Sequence, residues 1–278
     1  MKAPSWLIKE SLREDLGKNG DLTTRFFVPS NAKISASIVL KADGVICGTE
    51  IARQIFQKLD PSARFKIIVQ DGRYAKSGQK IAQIDGSPKI LTAERTALNF
   101  LQHLSGIATL TRQFVENIHQ TKVQIYDTRK TLPGWRVLEK YAVRCGGGKN
   151  HRIGLYDMVL LKDNHWEFGS LRSGLSQLKK KYPEIPVEIE ADRLSRVQAA
   201  LILNPDMILL DNMSPDQIKA AIQMIRASSK KIQIEISGGV NLQNVRALAQ
   251  LGPDRISIGR ITHSAGALDM SLEVNEQN

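Results

Sequence analysis

Six short apolar segments between residues 123 and 260 each run into polar residues or glycines. They read VQIYDTRK, DMVLLKDN, VEIEAD, DMILLDN, IQIEISGG and RISIGR. Successive polar ends lie 21 to 35 residues apart, and this spacing leaves room for one strand, one helix and two loops. The residues used to mark the polar ends are Asp127, Lys162, Glu190, Asp211, Ser237 and Gly259. Antiparallel hairpins would repeat about every 10 residues, so the spacing predicts parallel strands joined by helical crossovers.

Such a βα repeat predicts an α/β barrel and also where its chemistry lies. The interior of a barrel of this kind is packed with side chains, and the loops at the carboxyl ends of the strands build the site. The polar residues that end the strands are therefore the first candidates for function. They are Arg129, Lys130, Lys162, Glu190, Asp211 and Ser237.

The first hundred residues follow another pattern. An opening helix is expected to begin at a Ser5 cap and to end at Gly17. Strand-like stretches follow, and Asp-Gly turns punctuate them; the stretches read KISASIVLKA, RFKIIVQ and QKIAQIDG. This alternation predicts a separate N-terminal α+β sandwich domain.

The chain has 278 residues, more than the length of about 250 residues at which a single core usually stops growing. We therefore expect two domains. The N-terminal α+β sandwich domain is placed at residues 1–108, including a bridging helix with a break at Gly106. The barrel domain is placed at residues 109–278, with a tail that could pack back on the first domain.

Two capping patterns in the second domain mark where strands give way to helices. Ser214 and Gln217 form a capping box around Pro215, which suits the first position of a helix. Asn241 is expected to cap the helix that follows the glycine pair after Ser237. Both patterns agree with the spacing of the repeat.

Charge and composition narrow the class of partner. The formal net charge of +11 favours an anionic ligand. Basic residues form no run beyond Lys179–Lys181, and no nucleic-acid-binding motif is present, so binding to nucleic acid is disfavoured. No apolar run reaches the roughly 18 residues of a membrane span, and the first residues lack the layout of a secretory signal, so we expect a cytoplasmic protein without a membrane partner.

The two cysteines give no framework for a fold. Cys47 and Cys145 are isolated from each other in the chain and from any CxxC pattern. We therefore expect reduced thiols rather than a disulfide or a structural zinc site.

Cations are concentrated at three points in the barrel half. Arg129 and Lys130 lie together at a strand end, where a guanidinium can hold a carboxylate with two hydrogen bonds. His151 and Arg152 follow three glycines that lack the Walker pattern, and we expect these glycines to turn the chain so that both side chains face the barrel mouth. Lys162 ends a strand that is expected to be buried, where an unpaired ammonium would be costly.

Carboxylates and glycines complete the predicted mouth. Glu188 and Glu190 share one face of a strand, and Asp211 ends the next. These carboxylates could bind magnesium, hydrogen-bond sugar hydroxyls or form a buried salt-bridge network with the cations. The last two strands end in Ser237–Gly239 and Ser257–Arg260, and backbone amides at this place in a barrel commonly hold a phosphate. The set suits a phosphorylated sugar and a second, anionic substrate.

Together these segments resemble one enzyme family. The stretch DTRKTLPGWRVLEKYAVRCGGGKNHRIGLYDMVLLKDNH, with ERTALNFLQHLSGIAT before it and VEIEAD, LLDN, EISGGV and ISIGR after it, closely resembles the quinolinate phosphoribosyltransferases. The resemblance covers nearly the whole chain. It implies an open α/β barrel joined to an N-terminal sandwich domain, and transfer of phosphoribosyl from phosphoribosyl pyrophosphate to quinolinate with decarboxylation to nicotinate mononucleotide, in de novo NAD synthesis.

The resemblance also implies a role for each matching position. The pyridine dicarboxylate would be held by Thr128, Arg129, His151, Arg152 and Lys162, and in a homodimer by Arg95 from the partner subunit. Lys130 would meet the pyrophosphate, while Glu190 and Asp211 would hold the ribose and Mg²⁺. The phosphate would lie against Ser237, Gly238, Gly239, Ile258, Gly259 and Arg260.

Three alternatives stay open at this point. A relative of the family associated with molybdenum transport shares the fold and many of the motifs. A Schiff-base lyase would also place a lysine such as Lys162 at a strand end, but it would not need the phosphate glycines or the other cations. A basic nucleic-acid-binding protein would show salt-dependent binding without turnover.

Overall fold

The protein is described from a computed structural model that covers residues 1–168, 170–228 and 231–275. The chain divides into two compact units. Unit 1 comprises residues 1–112, 131–147 and 261–278, and unit 2 comprises residues 113–130 and 148–260. The segments 131–147 and 261–278 thus belong to unit 1, although a division at residue 108 would assign them to the barrel. Within the described residues, no helix combines the length and the apolar character needed to cross a membrane.

Strands lie in both units. Those of the first part of the chain are β1 (Ile34–Leu40), β2 (Gly44–Val45), β3 (Arg64–Ile67), β4 (Tyr74–Ala75) and β5 (Lys80–Gly86). Those of the barrel region are β6 (Gln124–Tyr126), β7 (Val159–Leu161), β8 (Val187–Ala191), β9 (Met207–Asp211), β10 (Gln233–Ser237) and β11 (Arg255–Ser257), and β12 (Met270–Val274) follows near the end.

Helices lie between and before these strands. The first five are α1 (Ser5–Leu16), α2 (Leu22–Phe27), α3 (Thr49–Leu59), α4 (Lys89–Asn117) and α5 (Arg136–Cys145). The remaining six are α6 (Asp163–Trp166), α7 (Leu171–Lys181), α8 (Leu194–Leu203), α9 (Pro215–Ala227), α10 (Val245–Gln250) and α11 (Arg260–His263).

Unit 1 is built on an antiparallel sheet in the order β12, β1, β5, β3. The last strand of the chain therefore pairs with the first, with Leu40 opposite Met270 and Ala36 opposite Val274. The core side of this sheet is apolar, and Ile38, Leu40 and Ile84 are fully buried. Burial of such side chains stabilises the unit by about 1.5 to 3 kcal/mol each.

Two expectations for the helices of unit 1 were wrong. Ser5 is the first residue of α1 rather than its cap, because Pro4 occupies the N-cap position without a side-chain hydrogen bond. Helix α4 does not break at Gly106 but runs unbroken from Lys89 to Asn117. A Cβ at position 106 would collide with the carbonyl of Gly266, so this glycine permits a close backbone approach instead of ending the helix.

Unit 2 contains the parallel sheet that the sequence predicts. Its six strands lie in the order β6, β11, β10, β9, β8, β7, and every neighbouring pair of strands is parallel. Each of the six segments identified from the apolar pattern forms one of these strands. The chain is therefore an α/β protein with an open barrel sheet and an antiparallel N-terminal domain. This architecture places the polar strand ends along one rim.

Of the two helix caps predicted in unit 2, the one at Ser214 is confirmed and the one at Asn241 was wrong. Ser214 and Gln217 form the predicted capping box at the start of α9, with Ser214 N–H donating to Gln217 Oε1 at 3.0 Å. Helix α10 begins later than predicted, at Val245, with Asn244 at the N-cap. Asn241 instead accepts the amides of Gln243 and Asn244 in a preceding turn, which delays the helix.

Candidate active site

At the rim of the barrel sheet, Lys162 and Glu190 form an ion pair. Leu161 lies opposite Ile189 in the pairing of β7 with β8, so the next residues of the two strands project side by side. Lys162 Nζ lies 2.8 Å from Glu190 Oε2, and the side chains are 48% and 12% exposed. The expectation of a buried lysine was wrong, because β7 ends before Lys162 and the ammonium reaches water. An ion pair this open can exchange its partner for a ligand.

Asp211 and Ser237 extend this rim. The two residues are opposite each other at the ends of β9 and β10. Asn212 donates to Asp211 Oδ2 at 2.8 Å through its side chain and to the Ser237 carbonyl at 3.0 Å through its backbone. Carboxylate oxygens such as those of Glu190 and Asp211 are the ligands that Mg²⁺ prefers. The donor set at this rim therefore fits a hard divalent cation.

The glycines after β10 shape a tight turn beside Asp211. Gly238 and Gly239 have φ angles of 87° and 61°, and Asn212 also has a positive φ of 53°. A Cβ on Gly238 would collide with the carboxamide of Asn212, so no other residue fits at this position without a rearrangement. Asn244 fixes the far side of the turn by donating to the carbonyl of Gly239 at 3.0 Å. This turn holds the backbone after β10 in a defined shape.

The end of β11 lies beside β6. Ile258 is buried and donates its N–H to the Tyr126 carbonyl at 2.9 Å. Gly259 follows, and Arg260 is exposed as the first residue of the short helix α11. The three residues thus pass from the interior of unit 2 to its surface within one turn.

Two guanidinium groups lie near each other beyond the end of β6. Arg129 follows the strand by three residues, with Thr128 before it and the exposed Lys130 after it. Burial and the neighbouring charge of Arg129 lower the pKa of Arg152. Arg152 Nη1 also donates to the Met158 carbonyl at 3.1 Å, which fixes its position. Like charges held close in this way are stabilised by a bound anion.

The loop that carries His151 and Arg152 is fastened by Asp127. The buried carboxylate of Asp127 accepts the side-chain amide of Asn150 at 2.6 Å and the backbone N–H of His151 at 2.8 Å. Lys149 also pairs with β6, since its N–H donates to the Ile125 carbonyl at 2.7 Å. The segment after the three glycines is therefore held against the barrel.

His151 lies deeper than predicted, inside the barrel. Its Nε2 lies 3.0 Å from Glu188 Oε2 and 3.4 Å from Glu235 Oε1. Arg255 binds the same two carboxylates, with Nη2 at 2.9 Å from Glu188 Oε1 and Nε against Glu235 Oε2. All four residues are buried. We call His151, Glu188, Glu235 and Arg255 the interior cluster.

The interior cluster retains a proton at neutral pH. Burial opposes charge on the ring, but hydrogen bonds to Glu188 and Glu235 outweigh it and raise the pKa of His151 to about 9. Burial and the charge of Glu235 also raise the pKa of Glu188. Because the Arg152 N–H donates to His151 Nδ1 at 2.8 Å, the hydrogen of the ring lies on Nε2, and the extra proton of the cluster is shared with the carboxylates, so the groups titrate together.

A cavity of about 420 Å³ borders the interior cluster. Pro186, Met207 and Gln233, at the starts of β8, β9 and β10, line it together with His151 and Arg255. Tyr126, at the end of β6, and Arg152 line the same cavity, so the interior cluster borders the loop that carries the predicted substrate arginine. The sequence left open whether the carboxylates bind a ligand or form a buried salt-bridge network. Glu188 forms such a network, whereas Glu190 lies at the rim.

Arg95 belongs to unit 1, whereas the side chains described above belong to unit 2. It is exposed on α4, where Glu94 is an ion-pair neighbour at 3.8 Å. Its contribution across a dimer stays a prediction.

Four residues of the site region were not singled out from the sequence. They are Asp127 as the loop anchor, Asn212 as the partner of the glycine turn, and Glu235 and Arg255 in the interior cluster. Glu235 had a signal, because it is the central residue of the buried strand QIEIS, where a charge needs a partner.

Comparisons with known proteins cover both units. The model of the family described as "Quinolinate phosphoribosyl transferase, C-terminal domain" matches residues 107–273, and the corresponding N-terminal domain model matches residues 21–105. A nicotinate-nucleotide pyrophosphorylase [carboxylating] of Mycobacterium leprae is 40% identical over 271 residues, with 96% of this chain and 95% of the relative covered. A probable enzyme of the same name from Synechocystis is 40% identical over 279 residues, covering 98% and 94%.

Solved structures give the same result. The nicotinate-nucleotide pyrophosphorylase of Ehrlichia chaffeensis superposes with a TM-score of 0.91 at 40% identity, covering 98% of each chain. That of Francisella tularensis gives a TM-score of 0.90 at 37% identity, covering 97% of this chain and 95% of the other.

Proposed function

The chain belongs to the quinolinate phosphoribosyltransferase family, and on this basis we propose that it transfers the phosphoribosyl group of phosphoribosyl pyrophosphate to the ring nitrogen of quinolinate. Loss of one carboxylate as CO₂ then gives nicotinate mononucleotide, and pyrophosphate leaves. The reaction is a step of de novo NAD synthesis. The enzyme is a phosphoribosyltransferase.

The observation that carries this proposal at the site is the pair of guanidiniums. Arg129 and Arg152 are close enough for the charge of one to lower the pKa of the other, and a bound dicarboxylate would offset their mutual repulsion. The exposed ammonium of Lys162 is a third cation, which can leave Glu190 for a substrate carboxylate. We propose that quinolinate binds to Arg129, Arg152 and Lys162, with Thr128 beside them.

We assign His151 to the same substrate site as a positioning residue. Both ring nitrogens already have partners, so its effect on quinolinate acts through Arg152, the next residue. The interior cluster holds the ring, and the ring and Asp127 hold the loop that presents the Arg152 guanidinium.

The rim residues are assigned to the phosphoribosyl donor. Glu190 and Asp211 would hold the ribose and Mg²⁺, and the cation would supply positive charge against the negative charge of the departing pyrophosphate. Lys130, which is exposed, takes up part of the same negative charge. The phosphate lies against Ser237, Gly238, Gly239, Ile258, Gly259 and Arg260. As pyrophosphate leaves, the ribose carbon gains oxocarbenium character, and the quinolinate nitrogen held by the cations attacks it.

A turnover assay tests the reaction. Purified protein with quinolinate, phosphoribosyl pyrophosphate and Mg²⁺ should release nicotinate mononucleotide and pyrophosphate, and nicotinate in place of quinolinate should give no product. Arg129→Ala should lose quinolinate turnover while retaining its circular dichroism spectrum. Absence of product from folded wild-type protein would reject the assignment and favour the relative associated with molybdenum transport. Trapping of a substrate on Lys162 by borohydride would instead favour a Schiff-base lyase.

We further infer a cytoplasmic homodimer in which Arg95 enters the quinolinate site of the partner subunit. The exposure of Arg95 on α4 supports this role. Mixing inactive Arg95→Ala and Arg129→Ala chains tests it, because one site of each mixed dimer would then be complete and about a quarter of the activity should return. If Arg95 acts within its own chain, mixing restores nothing.

A further inference from the structure

Two thiols far apart in the sequence lie next to each other in unit 1. The Sγ atoms of Cys47 and Cys145 and a carboxylate oxygen of Asp71 all lie within 4.8 Å of one another. Cys47 comes just before α3, and Cys145 is the last residue of α5. These are the two cysteines of the chain. Their isolation in the sequence therefore does not describe their place in the fold.

The turn at Asp71 and Gly72 brings the two cysteines together. Gly72 N–H donates to the carbonyl of Ile46, the neighbour of Cys47, at 2.8 Å. Gly72 has a φ of 84°, and a Cβ at this position would lie 3.9 Å from the Cα of Cys145. A single turn thus contacts the backbone on both sides of the thiol pair.

The side chain of Asp71 fixes both flanking helices. Its carboxylate accepts the N–H groups of Gly48 and Thr49 and the hydroxyl of Thr49, which caps the start of α3. It also accepts the hydroxyl of Tyr141, on α5, at 2.8 Å. The thiols are therefore held in place by the surrounding fold, so that little of the chain must move for them to react.

The two thiols differ in exposure and acidity. Cys47 is fully buried, whereas Cys145 is partly exposed. Burial and the hydrogen bond with Cys145 raise the pKa of Cys47. The hydrogen bond from Cys47 lowers the pKa of Cys145 against the opposing effect of burial, and Tyr141 and Arg144 add to the lowering. A partly exposed, more acidic thiol beside a buried thiol is the arrangement found in redox-sensitive cysteine pairs.

We propose that Cys47 and Cys145 are a redox site that closes to a reversible disulfide when the protein meets a peroxide. The Cys145 thiolate attacks one peroxide oxygen, breaks the O–O bond and becomes a sulfenic acid, and the first water leaves. Cys47 then attacks the Cys145 sulfur, the S–O bond breaks, and a second water carries away the hydroxyl and the thiol proton. Two thiols and one hydrogen peroxide thus give one disulfide and two waters.

The same three groups could be considered as metal ligands, but the contacts favour the disulfide. A structural zinc site takes four ligands that are free to bind it. Asp71 already accepts four hydrogen bonds that fix α3 and α5, and binding a cation would compete with them. The two sulfurs instead hydrogen-bond to each other, which already brings them together for a disulfide. Zinc is therefore the alternative that the experiment must separate.

The test is intact mass spectrometry of the full-length protein before and after hydrogen peroxide. We expect a mass lower by two hydrogens, loss of both titratable thiols, and recovery of both after dithiothreitol. Peptide mapping should find Cys47 linked to Cys145 within one chain. The oxidised protein should also melt at a higher temperature than the reduced protein, because a cross-link restricts the unfolded chain.

Two single variants serve as matched controls. Cys47→Ser should leave Cys145 to gain oxygen atoms irreversibly, and Cys145→Ser should leave a thiol that peroxide does not modify under native conditions. The proposal is overturned if the wild-type protein gains oxygen without losing hydrogens, or if links form between chains alone. It is also overturned if stoichiometric zinc is found in the native protein and its removal by a chelator is needed before either thiol reacts.

Discussion

Glu188 and Glu190 lie two residues apart on the same face of β8, yet they occupy opposite environments. Glu188 is fully buried between His151 and Arg255, whereas Glu190 lies at the rim with the half-exposed Lys162 as its partner. The residue type and the strand are the same, so depth along the strand alone separates them. A carboxylate inside the barrel serves the fold, and a carboxylate at the rim is available to a ligand.

The energetics of the two ion pairs differ for the same reason. Removing one partner from a buried ionic network leaves an uncompensated charge in a medium of low dielectric. An exposed pair is screened by water and contributes little, so it can open without harm. The interior cluster can therefore hold the shape of the barrel while the rim pair changes partners.

Removing the interior guanidinium should have the largest effect on stability. Arg255→Met leaves Glu188 and Glu235 facing each other, and we expect the free energy of unfolding to fall by about 3–5 kcal/mol. Urea denaturation measures this change. Arg226→Met is the matched control, because Arg226 pairs with Asp254 at the surface at 2.8 Å, and it should cost less than about 1 kcal/mol. Equal losses would remove the distinction between interior and surface.

Raising the pH should weaken the interior cluster without any mutation. The pKa of His151 is raised to about 9 from the ordinary value of 6.5, so the folded cluster binds more proton than the unfolded chain between these values. The stabilisation is complete below pH 6.5 and is lost as the pH rises through about 9; its size is about 3 kcal/mol. Urea unfolding at several pH values should show this slope, and His151→Gln should flatten it. A wild-type slope of zero would contradict the cluster's extra proton.

Neutralising the two glutamates one at a time should separate activity from stability. Glu190→Gln should lower kcat/KM by about 100-fold, because a charge at the reacting centre is lost, with little change in melting temperature. Glu188→Gln should lower the melting temperature, because the charge balance around Arg255 is broken. Steady-state kinetics and calorimetry on both variants check this. The reverse pattern would mean that Glu188 is the residue that faces the ligand.

Removing the rim ammonium should have the smallest effect on stability. Lys162→Met should change the free energy of unfolding by less than about 1 kcal/mol, since the Lys162 side chain is 48% exposed. The KM for quinolinate should nevertheless rise, while the KM for phosphoribosyl pyrophosphate stays close to the wild-type value. A large loss of stability would show that the pair is structural.

The parts of the molecule that depend on local rules could be predicted from the sequence. The six strand segments and the capping box at Ser214 follow from periodicity and side-chain hydrogen bonding over a few residues. The rim position of Glu190 followed from its place at a strand end. Local rules decide each of these features.

The parts that depend on distant neighbours could not be predicted in this way. Gly106 looked like a helix end because glycine is a poor helix former, but its partner is Gly266, far along the chain. His151 was placed at the mouth because nothing local shows that Glu235 and Arg255 would receive it inside the barrel. The two cysteines likewise meet through a turn that belongs to neither of their segments.

The pairing of β12 with β1 has a consequence for synthesis on the ribosome. Residues 36 to 40 pair with residues 270 to 274, so one edge of the N-terminal sheet stays open until the segment 270–274 has been synthesised. At translation rates of about 5–20 residues per second, that interval lasts roughly ten to fifty seconds. During this time the strand Ile34–Leu40 offers unpaired backbone groups and apolar side chains to other chains. The nascent N-terminal sheet thus depends on residues 270 to 274 for its closure.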